Sequence, residues 1–233
     1  MIKLPRLLKW VISIFIFFFV LLTIFRLVFY SVYKPLAYVF PIDAFIMGAR
    51  IDLRSVSILC LFILLLSAIP ALHPFKNYKS RIFWNVLLTV FFVLAIFFYV
   101  VDYFHFDYLH QRLNASVLNY LQDAGISLSM VWQTYPVLKI IILLIIFSVA
   151  AFLLTSTILK KYQHRSTVKN HKQWIPVTIT VILLAIGTWG SLGQFPLRWS
   201  NVYTLGDAFK SQVALIPFKV FSVRFRSKTL LMI

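Results

Sequence analysis

Residues 82–101 read IFWNVLLTVFFVLAIFFYVV, twenty positions with no charged side chain. A helix needs about 20 apolar residues to cross a hydrocarbon core of roughly 30 Å. This run therefore predicts a membrane-spanning helix, and four more stretches match it. Trp10–Phe25 extends past Arg26 to Tyr30, and Ser55–Leu72, Ile140–Leu159 and Trp174–Phe195 are all free of charge. The first has the basic start of a signal peptide. Its apolar stretch is long, however, and no A-x-A cleavage site follows it, so it reads as a retained helix. The segments are too long for barrel strands, and any non-helical span would leave backbone groups unpaired in lipid.

Composition agrees. Of 233 residues, 61% are hydrophobic and 12% charged, against about 25% charged in a soluble domain. An ordinary water-soluble fold and a disordered chain are both excluded. The net charge of +17 does not point to nucleic acid, because the cations sit between apolar runs and not on a soluble basic surface. All six acidic residues are Asp, and Glu is absent. The single cysteine, Cys60, lies inside an apolar run, which rules out a disulfide framework or a Cys-based metal site.

The cations predict orientation. Lys3, Arg6 and Lys9 precede span one. Lys76, Lys79 and Arg81 fill the link between spans two and three. Lys160, Lys161, Arg165, Lys169 and Lys172 fill the link between spans four and five. These eleven cations are accompanied by no Asp, whereas the opposite loops hold six cations and five Asp. The positive-inside rule then places the N-terminus in the cytoplasm and the C-terminus outside. Trp10, Trp84 and Trp174 near the inner ends, and Trp199 past an outer end, fit an aromatic belt.

The outer segments hold the residues with chemical interest. The first, about 30–54, ends in Arg50, Asp52 and Arg54 before span two. If extended, these three share a face; on a helix they spread apart. They are either anchors for the span or a phosphate site for a lipid headgroup, since guanidinium matches phosphate oxygens bidentately. The second, about 102–136, opens with Asp102, His105, Asp107 and His110. Two Asp and two His in nine residues admit a metal site, but the run shows no established ligand motif, and polar residues alternate with aromatics at a membrane boundary. Further on, Leu113, Val117, Leu121, Ala124, Leu128 and Val131 form a helical stripe. They predict an amphipathic helix lying in the interface, with Gly125 as a bend. Asn114-Ala115-Ser116 fits the glycosylation pattern but lacks a supporting context. Gly190-Ser191-Leu192-Gly193 departs from the G-x-S-G order of intramembrane proteases and reads as close helix packing. No acidic residue sits in mid-span, which argues against a proton-coupled carrier.

Taken together, the five spans, Gly48-Ala49-Arg50-Ile51-Asp52-Leu53 and the run from Asp102 through Tyr108-Leu109-His110-Gln111-Arg112-Leu113-Asn114 resemble the lipoteichoic acid synthase-like proteins. These membrane phosphoglycerol transferases are sulfatase-like members of the alkaline phosphatase superfamily. Trp199-Ser200-Asn201 and Asp207-Ala208-Phe209 through Pro217 resemble their connector. The resemblance implies a membrane domain over 1–197 and an extracytoplasmic connector over 198–233 in a bacterial-type inner membrane. Family members carry a metal-dependent α/β domain after the connector, with a Thr nucleophile and Glu, Asp and His metal ligands. With no Glu here and 16 residues after Pro217, the expectation is a module without its catalytic domain, holding no catalytic residue and no cofactor. Its expected partners are the bilayer and an anionic phosphoglycerolipid, with no nucleic acid. The alternative is a free-standing polytopic protein, a carrier subunit or assembly partner. DNA after codon 233 encoding an α/β metal-dependent domain would favour the first reading, and unrelated DNA the second.

Overall fold

A computed structural model describes residues 4–113, 124–163, 174–191, 193–215 and 217, omitting the side chains of 124 and 126–128. Among these residues all regular structure is helical: α1 (Arg6–Tyr33), α2 (Ile42–Ala68), α3 (Tyr78–Leu109), α4 (Ala124–Thr134), α5 (Val137–Gln163), α6 (Trp174–Trp189), a 3₁₀ segment Trp199–Leu205, and α7 (Ala208–Ala214). Four helices, α1, α2, α3 and α5, are long and apolar enough to cross a membrane. The fifth stretch forms a shorter helix. It was expected to run to Phe195, but α6 stops at Trp189 because Gly190 turns the chain at φ 66°. Sixteen residues of helix rise about 24 Å, a few ångströms short of the hydrocarbon thickness.

Proline sets several ends. α1 gives way to extended backbone at Lys34 before Pro35, and α2 at Ile69 before Pro70, since the residue before proline is driven out of the helical region. Two helices exceed their apolar runs. α2 starts at Ile42, so Arg50, Asp52 and Arg54 lie within it and not before it. α3 continues through the Asp/His run to Leu109. The expected interfacial stripe is met only in part. Leu113 is buried in a loop and residues 117 and 121 lie outside the described residues. α4 carries Gly125 in its first turn, where no bend is seen, and leaves Val131 exposed.

α1 is the hub, touching α2, α3, α5 and α7, while α2 packs on α6 and α3 on α5. One end is closed by Trp10 edge-on to Trp84 at 5.3 Å, with Trp84 Nε1 donating to Leu72 O at 2.5 Å. At the same end Ser13 and Tyr162 hydroxyls meet at 2.7 Å, and Arg6 and Arg81 both donate to Gln163. The start of α1, the α2–α3 link and the end of α5 thus gather together, and those are three of the cation-rich places. One to two turns in from that end, the Thr155 hydroxyl donates to the Asn85 side chain between α3 and α5, a polar tie of the kind that holds helices together in lipid. The outer surfaces stay apolar: Leu138, Ile142, Ile145, Ile146, Val149 and Leu153 of α5 are all exposed. A patch of that extent does not face water in a soluble monomer. The environment it fits is a lipid bilayer.

Candidate functional site

Two buried ion pairs occupy the end of the bundle opposite the tryptophans. Arg26 lies in α1, 17 residues and about 25 Å of helix rise beyond Lys9. Its Nη2 donates to both carboxylate oxygens of Asp52 at 2.8 and 2.7 Å. Its Nη1 donates to the Val213 and Ala214 carbonyls at 2.6 and 2.8 Å. Four hydrogen bonds thereby hold the guanidinium. Arg112, in the loop after α3, repeats the arrangement. It pairs with Asp102 through Nη1 and donates through Nη2 to Leu215 O at 2.6 Å. Its guanidinium stands 4.0 Å over the Phe29 ring. Burial pushes the pKa of Arg112 downward, and the Asp102 carboxylate acts against that. Asp102 Oδ1 also accepts from the Leu113 N–H at 2.7 Å.

Both cations therefore end on carbonyls at the C-terminus of α7, Arg26 on its last two and Arg112 on that of the capping residue Leu215. A helix C-terminus presents unpaired carbonyl oxygens and the negative end of its dipole, which a guanidinium satisfies on both counts. The start of α7 is tied too. The Asp207 side chain caps the Phe209 and Lys210 N–H groups at 2.7 and 3.1 Å, and the Tyr38 hydroxyl donates to its other oxygen at 2.6 Å. Lys210 reaches Asp43 at 2.7 Å; that pair is partly exposed and worth little.

The Tyr38 hydrogen bond, then those from the Lys210 and Phe209 N–H groups, hold Asp207 below the ordinary carboxylate range. Tyr38, pushed up to about 12 first by burial and then by Asp207, stays protonated and donating. A lowered folded pKa means stability that is full above the unfolded value, near ~4, and lost as pH falls through the folded one. Amide-exchange protection of α7 is thus expected to be constant from pH 8 to 5 and to drop below about 4. In Asp207→Ala the acid step should vanish and protection should be weaker throughout, by about 1 kcal/mol for a lost cap.

The residues expected from sequence are distributed differently. Arg50, Asp52 and Arg54 do not form a unit, because on a helix Asp52 turns to α1 while Arg50 and Arg54, four apart, share the opposite face. Arg50 Nε donates to Gly190 O at 3.3 Å, and Arg54 donates to Leu197 O. A phosphate at this place would compete with both carbonyls. The Asp/His cluster is not assembled either. Asp102 is committed to Arg112 and Leu113, His105 Nδ1 lies 2.9 Å from Gln111 O, and His110 ends α3 at φ 52°. Among the described residues no three His, Cys or Asp side chains come together as a metal site.

Arg26 and Arg112 are the residues that sequence reading missed. The signal for Arg26 was present: a lone arginine inside an apolar run is expensive and asks for a partner. Gly48 belongs with it. A Cβ there would overlap the Arg26 guanidinium, so α2 must be bare at this point for the arginine to reach Asp52. Comparison with protein-family models, curated proteins and solved structures finds no match to this chain.

Proposed function

We propose that this chain is a multi-pass membrane platform that anchors and orients the segment following its last apolar helix on the extracytoplasmic side. This is the part played by the membrane domain of lipoteichoic acid synthase-like proteins, which the sequence resembles. The observation that carries the reading is the use of both buried arginines on the carbonyls of residues 213–215. A mere anchor needs no such fixation. Two buried ion pairs are costly to assemble, and they stabilise little unless further groups complete their hydrogen bonding. Here each pair is completed by a carbonyl at the C-terminal end of α7, Val213 and Ala214 for Arg26 and the capping residue Leu215 for Arg112.

The topology in this proposal has five spans, with α6 the last, the N-terminus in the cytoplasm and α7 outside. The gathering of the α1 start, the α2–α3 link and the α5 end supports it. Reporters inserted after Arg165 and after Asn114 are expected in the cytoplasm and outside, respectively; both on one side would overturn the topology. Orientation of α7 is tested by spin labels on the exposed residues Val39 and Tyr203 in nanodiscs, Cys60 being buried. A single narrow distance distribution is expected. A broad one would show an untethered tail and remove the platform reading.

A further inference from the structure

Arg50 and Arg54 carry charge that no carboxylate among the described residues balances. They stand one turn apart on α2, where like charges repel. Asp52 is taken by Arg26, Asp102 by Arg112 and Asp43 by Lys210, while Asp207 caps α7 and Asp107 lies on α3. Each of the two arginines gives one contact to a carbonyl, Arg50 Nε to Gly190 O and Arg54 Nη1 to Leu197 O. Arg50 Nη1 and Nη2 have no partner among the described residues, and both arginines are half-buried, not sealed. Arg198, directly after Leu197, is exposed as well. Two guanidinium groups in surplus call for an anion.

Depth says which anion. Counting from Ala68, Arg54 and Arg50 lie about 21 and 27 Å along α2, just inside a hydrocarbon core of roughly 30 Å. A bare charge is expensive at that level. α6 stops there too, about 24 Å from Trp174, and irregular backbone follows at 190–191 and 193–198. Its end packs directly on Arg54, since a Cβ on Gly190 would lie 3.5 Å from Arg54 Cβ. Irregular backbone does not face hydrocarbon unaided, and a helix this short is accommodated by thinning of the bilayer beside it. Thinning brings lipid phosphates down to the two arginines. Lipid reaches the place, because Ile46 and Ile58, one turn before and after them on α2, are 57% and 48% exposed.

We propose that Arg50 and Arg54 hold the phosphate of an outer-leaflet phospholipid in the notch beyond the end of α6, the lipid supplying the negative charge that the chain does not. Guanidinium meets phosphate through paired N–H donors, which an ammonium cannot copy. A free phosphate ion offers the same chemistry, but a notch bordered by hydrocarbon favours phosphate carried on acyl chains. The proposal rests on the five-span topology, which the reporters after Arg165 and Asn114 test by themselves, and not on the fixation of α7. Its own test is a native mass spectrometry titration of the purified full chain with dioleoylphosphatidic acid and dioleoylglycerol, which differ by the phosphate alone. The phosphate-bearing lipid is expected to bind at least about tenfold more tightly, the scale of one hydrogen bond to a charged group. Arg50→Gln should remove about tenfold of that binding, and Arg50→Lys, which keeps the charge and loses the planar fork, about three- to tenfold. Lys34→Gln, which removes another outer cation, one standing over the Tyr30 ring, should leave binding unchanged. Undiminished binding by Arg50→Lys overturns the proposal, as does an equal loss in Lys34→Gln and Arg50→Gln. Displacement of the lipid by millimolar inorganic phosphate would assign the notch to the free ion and overturn it too.

Discussion

Asp52→Ala is expected to be among the most damaging substitutions in the molecule. It leaves Arg26 charged, buried and without its carboxylate, which costs on the order of 3–5 kcal/mol when a buried pair loses one member. The expected readout is a large fall in apparent melting temperature in detergent, with reduced abundance in the membrane. Arg26→Leu should do comparable harm by stranding Asp52. The double variant Arg26→Leu/Asp52→Leu separates two contributions. Replacing both charges by apolar groups is often nearly neutral, so the bundle should regain most of its melting temperature. The Val213 and Ala214 carbonyls nonetheless lose their donor, so amide protection in α7 should stay low. A double variant that restores both, or neither, would show that the pair does not fix α7 as described.

Why these residues escaped the sequence is instructive. The apolar runs announced four of the helices, because a span must be about as long as the bilayer is thick and that length is visible as text. The helix ends were less legible. Ile42–Arg54 carries polar and charged residues, so hydropathy assigns it to a loop, yet it is helical since Asp52 and Arg50 each find an intramolecular partner. The pairing of Asp52 with Arg26 joins residues 26 apart on neighbouring helices, and no local spacing rule reports that. Local spacing instead suggested Asp52 with its flanking arginines, and Asp102 with His105. In both cases an arginine further along the chain takes the carboxylate, and that arginine also bonds carbonyls at the C-terminal end of α7. Those carbonyls come from backbone and leave no mark in the sequence at all.

The sharpest consequence concerns Gly48. In a helix interior, Gly→Ala ordinarily stabilises by about 1 kcal/mol, through lower chain entropy and better propensity. At Gly48 the sign should reverse. The added methyl would overlap the Arg26 guanidinium, and although arginine is flexible, this one is held by four hydrogen bonds of 2.6–2.8 Å. Moving it aside breaks the contact to Asp52, to the α7 carbonyls or to both. Overpacking alone costs typically 1–3 kcal/mol, and the lost charged hydrogen bonds add about 1.5–3 kcal/mol each. Gly48→Ala is therefore expected to lower stability by roughly 2–4 kcal/mol in total after partial relaxation. The double-mutant cycle makes the cause identifiable. With Arg26→Ala already present, the guanidinium that the methyl would overlap is gone, and Gly48→Ala should become neutral or stabilising. The coupling between positions 26 and 48 should then reach about 2–3 kcal/mol, the upper part of the range for contacting residues. Additive effects would mean that Gly48 is needed for some reason other than the passage of Arg26 to Asp52.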